Sequence, residues 1–152
     1  MVTLYESPTE LLHTFEEYLQ TQRAEGKKCI AYLAHEFVPP ELILAMGAIP
    51  LPLIIAGDET VTTAGSDYLT PTMCPFALSL LGSFKDREEH PRVKFLQYVD
   101  AVISTNYCAA DTLINEWMAD FAAIPRLTLH IPFLHDDHHH AYYFAELIRL
   151  IS

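Results

Sequence analysis

The sequence predicts an α/β fold: a mostly parallel sheet of about four strands in a three-layer sandwich. Two observations carry this. Short apolar runs alternate along the chain with segments whose apolar residues recur every three to four positions, the helical period. Strands that alternate with helices require right-handed crossovers, which lay the helices over a parallel sheet. At 152 residues, 51% of them hydrophobic and 19% charged, the chain is long and apolar enough to bury one core.

The elements follow in order. Ser7-Pro8-Thr9-Glu10 reads as a capping box with proline at the first helical position. Leu11, Leu12, Phe15, Tyr18 and Leu19 continue at helical spacing, and Gly26 is the stop. This N-terminal helix, within residues 1–26, precedes an α/β unit over 27–152. Cys29–Ala34 is a short apolar run and reads as a buried strand. Pro39-Pro40-Glu41 opens a helix over Glu41–Met46, closed by Gly47. Ile49–Ile55 is strand-like, and Pro50 and Pro52 suit an edge better than a sheet centre. Ala56–Thr72 is polar and small, which predicts a long connection. Pro75 starts a helix over Phe76–Phe84, and Lys85–Arg92 is a charged loop. Val99–Ser104 is a strand. Ala109–Phe121 is a helix with Leu113, Trp117 and Phe121 along one stripe. Arg126–Ile131 is a fourth strand. Asp136 or Asp137 caps a last helix, with Phe144, Leu147, Ile148 and Ile151 turned inward. The final residues, Leu150-Ile151-Ser152, stop on an apolar helix face, as one half of something larger would.

Charge and motifs exclude several functions. A formal net charge of −11 disfavours nucleic acid, whose phosphates need clustered Lys and Arg. A polyanionic cofactor would need a positive field from a partner chain or a helix N-terminus. No apolar run approaches the length that spans a bilayer. The start, Met1-Val2-Thr3-Leu4-Tyr5-Glu6, has no basic region and no apolar stretch of a secretion signal, so the expected location is cytoplasmic. No G-x-G-x-x-G or Walker loop and no G-x-S-x-G elbow is present, which disfavours nucleotide enzymes and serine hydrolases.

Three side chains carry the chemistry that remains. Cys74, in Thr-Met-Cys-Pro-Phe, and Cys108, in Thr-Asn-Tyr-Cys-Ala-Ala-Asp, each precede a helix, where free N–H groups and the helix dipole favour a thiolate. His35 holds the matching place after the first strand, and Glu36 could orient its ring. In an open α/β sheet these handover points gather at the carboxyl ends of the strands, where ligands bind. Thiolates there suit an iron–sulfur cluster, and imidazole can join it or complete a zinc site. The plainer alternatives are two buried cysteines and a loop histidine. Cys29 begins its strand, roughly 20 Å from that edge at about 3.3 Å per residue, and reads as a core residue. His138-His139-His140 are consecutive on a helix, so they do not face one another and read as a solvated helix start.

Three stretches together resemble one family. They are Lys28–Pro52 with Pro-Pro-Glu-Leu…Ala-Met-Gly-Ala-Ile-Pro, Tyr68–Gly82 with Met-Cys-Pro-Phe-Ala, and Asp100–Trp117 with Asn-Tyr-Cys. They resemble the amino-terminal domain of the 2-hydroxyacyl-CoA dehydratase D-component and benzoyl-CoA reductase family, and the likeness continues through Leu129–Ile151. The resemblance implies a Rossmann-like domain without the dinucleotide fingerprint, in which three cysteines hold a 4Fe-4S cluster that passes electrons to a CoA thioester. Cys74 and Cys108 match the second and third cluster cysteines. The first is replaced here by His35, or by Ala34 if the register slips by one. The resemblance also implies a second α/β domain beyond this one and an ATP-dependent activator.

The expectation is therefore an iron–sulfur electron-transfer or accessory domain with Cys74, Cys108 and His35 as ligands. The alternatives are a mononuclear zinc-type site on the same residues and a cluster-less interaction domain. Apolar surface on the ligand edge and the last helix should pair it with a second copy or a second subunit.

Overall fold

A computed structural model describes residues 8–54, 58–134 and 136–151. It is an α/β sandwich around a four-stranded, all-parallel sheet in the order β2-β1-β3-β4. The chain runs α1 (Pro8–Ala24), β1 (Cys29–Leu33), α2 (Pro40–Ala45), β2 (Ile49–Leu53), α3 (Glu59–Ser66) and α4 (Pro75–Lys85). It continues through a short 3-10 helix (Lys94–Tyr98) to β3 (Ala101–Thr105), α5 (Ala109–Ala122), β4 (Arg126–Leu129) and α6 (Asp137–Leu150). Ser7, the expected cap of α1, lies outside the described residues. Among the described residues no helix is long and apolar enough to cross a membrane.

Alternation along the strands splits the core into two layers. Ala31 and Leu33 of β1, Leu51 and Leu53 of β2 and Val102 of β3 meet Leu19, Leu80, Leu81, Phe84, Ile114 and Met118 from α1, α4 and α5. On the opposite face Tyr32, Ile103 and Leu129 meet Ile43 of α2 and Tyr143, Leu147 and Leu150 of α6. The two prolines of β2 fall on an edge strand, where a missing N–H leaves no unpaired partner. Asp136 is the cap of α6, its carboxylate accepting the His139 N–H at 2.9 Å.

Three expectations need correction. Residues 56–72 are not one long connection, because α3 occupies Glu59–Ser66. Its sequence, Glu-Thr-Val-Thr-Thr-Ala-Gly-Ser, has turn chemistry and poor helix propensity. Asp58 caps it, accepting the Thr60 N–H at 2.9 Å, and tertiary packing supplies the rest. Gly65 and Gly82 lie where α3 meets α4: a Cβ on Gly65 would stand 2.0 Å from the Leu78 carbonyl oxygen, and one on Gly82 1.7 Å from that of Val61.

The stripe on α5 holds only in part. Leu113 is exposed, while Asp111, Ile114, Asn115, Met118 and Ala119 are buried. Trp117 and Phe121 pack against the core, half-buried, and meet the Tyr68 ring tilted and edge-on, at ring distances of 5.7 and 4.9 Å. On α6, Leu147 packs on the sheet as expected, but Phe144, Ile148 and Ile151 are exposed.

Backbone oxygens cannot step aside for a new methyl group, so Gly82→Ala should force α3 off α4. The expected loss is about 2–3 kcal/mol in urea denaturation. Gly26→Ala, at a positive φ with open space around it, should cost only about 1 kcal/mol.

Candidate functional site

The strand order creates the site. From β1 the chain turns through α2 to β2 on one side; from β3 it turns through α5 to β4 on the other. The two loops diverge, and the crevice between their carboxyl ends is where an open α/β sheet binds ligands.

Three contacts bridge this crevice. Glu36, in the turn after β1, is completely buried, and its Oε2 accepts the Thr105 N–H from the end of β3 at 3.2 Å. Its Oε1 is buried without a partner. Burial above all, with the charge of Asp111 adding, pushes its carboxyl up to about 7. His35 donates from Nε2 to Oδ2 of Asp111 in the first turn of α5, at 2.6 Å. Phe37 packs edge-on to Tyr107, at a ring distance of 5.0 Å.

The cysteines precede the two helices that His35 contacts. Cys108 is the residue before α5 and is partly exposed, and Cys74 is the residue before α4 and is exposed. Cys74 follows a turn after α3 rather than a strand. His35 is linked to both helices: to α5 through Asp111 and to α4 through the Phe76 ring, 5.5 Å away. Cys29 is wholly buried, and burial, with Asp100 adding, pushes its thiol up to about 12. It is a core residue, as expected. The histidine run behaves as a helix start: His138 and His140 are exposed, and His139 folds back on Asp136.

The carboxylate that orients His35 is Asp111, not Glu36. Consecutive residues in a turn point apart, and Glu36 points into the core. Sequence reading also missed Asn106, whose amide clips the backbone of Ile131 after β4, donating to its carbonyl at 3.1 Å and accepting its N–H at 2.6 Å. An acid three residues after Cys108, in the first turn of its helix, was the available signal for Asp111.

The arrangement can supply two thiols and, with Nε2–H committed to Asp111, the lone pair on Nδ1 of His35. A carboxylate behind an imidazole is the usual support of a ligating histidine. In kind, these donors suit a thiolate-rich metal centre. Among the described residues, no three His, Cys, Asp or Glu side chains form a group that could hold a metal ion.

Glu36 makes a pH prediction. Its unfolded value is near 4.5 and its folded value is about 7. Between these, the native state keeps a proton that the unfolded chain has lost. Its contribution to stability therefore falls as pH rises through that window, by at most about 1.4 kcal/mol per pH unit. Glu36→Gln should remove this slope in denaturation curves compared at about pH 5 and about pH 7. Identical pH dependence in both proteins would mean that Glu36 ionises normally.

Comparison with known proteins adds the family. The family model described as 2-hydroxyglutaryl-CoA dehydratase, D-component, matches residues 36–152. That span includes Cys74 and Cys108 and begins one residue after His35. The chain is 30% identical over 114 residues to "Putative dehydratase subunit YjiM" of Escherichia coli (strain K12), covering 75% of this chain and 28% of that protein. It thus spans little more than a quarter of the length of the curated relative it matches. With a match over most of its length, this chain belongs to the 2-hydroxyglutaryl-CoA dehydratase D-component family.

Proposed function

We propose that this chain is an iron–sulfur electron-transfer or accessory domain of a 2-hydroxyacyl-CoA dehydratase-like system. Cys74 and Cys108 are the thiolate ligands of a 4Fe-4S cluster, and His35 is the third protein ligand. The observation that carries the reading is the setting of the two cysteines. They precede α4 and α5, which pack together, and His35 contacts the first turn of both helices. When bound, the cluster supplies one-electron chemistry to a CoA thioester. The fourth iron site is open to that thioester or to a partner.

The chain's own residues have separate tasks. Asp111 holds the His35 ring and fixes which nitrogen faces outward. Glu36 holds the β1 and β3 loops in register. A second subunit or a second copy completes the assembly. Support comes from exposed apolar side chains on this edge and on the last helix, among them Ile54 after β2 and Tyr142, Phe144 and Ile151 at α6.

A mononuclear zinc-type centre on the same three residues is the second reading. The Asp111–His35 contact favours it as much as the cluster, since zinc-bound histidines carry the same support.

Anaerobic reconstitution followed by iron, sulfide and zinc analysis separates the two. The cluster reading expects iron and sulfide in equal amounts, lost in Cys74→Ser and in Cys108→Ser. His35→Ala should lower occupancy. His35→Cys should raise it and lower the reduction potential, because an anionic ligand replaces a neutral one. Zinc without sulfide selects the second reading. Iron content and spectrum unchanged in His35→Ala would remove His35 from the ligand set.

A further inference from the structure

Beside the crevice lies a cavity of about 290 Å³ that the ligand set does not use. Its walls come from the loops after three strands and from α6: Phe37 after β1, Tyr107 after β3, Ile131, Phe133 and Leu134 after β4, and Tyr143. Two of these adjoin the proposed ligands in sequence, since Phe37 lies two residues after His35 and Tyr107 immediately precedes Cys108. The volume is at the small end of ligand cavities, roughly 300 Å³. It accommodates an acyl group but not a nucleotide.

The backbone at its mouth is built under strain. Phe37 has φ 57°, the left-handed region that bulky residues avoid. It is held there from both sides. The Glu36 N–H bonds to the Leu33 carbonyl at 3.0 Å, and the Tyr143 hydroxyl donates to the Phe37 carbonyl at 2.9 Å. The strained turn keeps the Phe37 ring against Tyr107 as one wall of the cavity.

The lining decides the ligand class. Among the described residues no Lys or Arg lines the cavity, and His140 is the one basic side chain there. Eight of the nine Lys and Arg lie ahead of a strand or at its first residue, or at or beyond the end of a helix; the ninth, Arg149, reaches the carboxyl end of β4, where it donates to the Thr128 carbonyl and is paired with Glu146. Arg23, Lys27 and Lys28 precede β1, and Arg126 opens β4. Lys85 closes α4, and Arg149 is in the last turn of α6. A ligand carboxylate in the cavity would therefore meet no Lys or Arg among the lining residues, Arg149 nearby being already paired with Glu146, and burying it uncompensated is costly.

The geometry points to this cavity as the acyl-binding site for an uncharged aliphatic or aromatic acyl thioester, with Phe37, Tyr107, Phe133 and Leu134 selecting against dicarboxylic acyl groups. This deepens the thioester reading above and rests on it for the role of the ligand. The cavity itself is made of protein atoms only.

The test uses the metal-free chain and neutral thioesters of N-acetylcysteamine, which lack the phosphates of CoA and isolate the acyl end. Amide shifts are followed in two-dimensional NMR titrations with the hexanoyl, phenylacetyl and glutaryl esters. The hexanoyl and phenylacetyl esters should perturb the amides of Phe37, Tyr107 and Phe133, and bind about tenfold more tightly than the glutaryl ester. Phe133→Arg, and independently Leu134→Arg, should reverse that order; both side chains are more than 60% exposed, so the fold tolerates the change. Equal affinity for the three esters, no binding by a chain whose spectrum shows it folded, or an unchanged order in both arginine variants overturns the assignment. Shifts that follow protein concentration rather than ester would mean that a second copy covers the cavity, and overturn it too. Because no cluster is needed, acyl selectivity without cluster assembly would leave the cavity standing and remove the iron–sulfur reading. Cluster assembly without selectivity would do the reverse.

Discussion

The buried carboxyl of Glu36 is the constraint on which the rest of the site depends. β1 and β3 are neighbours whose following loops leave in opposite directions, so nothing in the sheet itself holds those loops together. Glu36 does, by accepting the Thr105 N–H inside the core. A fully ionised carboxylate with one unpaired oxygen would be costly there. The environment resolves this by favouring the neutral acid. With that joint closed, His35 is carried to Asp111 and Phe37 to Tyr107. Side chains from the two loops thus meet across one crevice because one acid is pinned behind them.

Position, not residue type, separates the three cysteines. Cys29 pairs across to Ile49 at the amino end of the sheet and is sealed on all sides; a thiol held that far up is inert. Cys74 and Cys108 stand at the opposite ends of the crossovers, before helices that start at the carboxyl edge. For Cys108 the parallel sheet enforces this, since α5 follows β3 and begins at its carboxyl end; for Cys74 it is the packing of Phe76 on His35 that brings the start of α4 to the same edge.

Much of this was legible in the residues, and the failures share one cause. The strands were visible as short apolar runs, and the edge position of β2 followed from Pro50 and Pro52, whose missing N–H groups a central strand would have needed. The cap at Asp136 and the helix starts at Pro40 and Pro75 are local signals, and they read correctly. What was missed is held by distant partners. α3 reads as a loop until Gly65 is set against Leu78 and Gly82 against Val61. The face of α5 was misjudged because it buries Asp111 and Asn115 while Leu113 is exposed. Apolar counting cannot rank a face whose polar residues are wanted inside. The partner of His35 was sought next door, at Glu36, and is 76 residues away. Local chemistry is written locally, and pairing across the switch point is written in the fold.

The same charge segregation gives a reason for histidine at position 35. Most of the Lys and Arg sit toward the amino edge, several of them paired: Arg23 and Lys28 with Asp100, Arg92 with Asp58, Arg126 with Glu116. Arg149 reaches the carboxyl end of β4 and is taken up there by Glu146 and the Thr128 carbonyl. Beside His35 the crevice holds Asp111 and Glu36, and neither carboxyl is paired with a Lys or Arg among the described residues. A thiolate at position 35 would add an anion beside the Asp111 carboxylate. A neutral imidazole removes that repulsion and turns the same carboxylate into a hydrogen-bond acceptor. Under the proposed ligation, the departure from three cysteines and the buried acid are therefore one design. The site lowers its own negative charge by ligand choice at His35 and by burial at Glu36, rather than by pairing either carboxyl with a Lys or Arg.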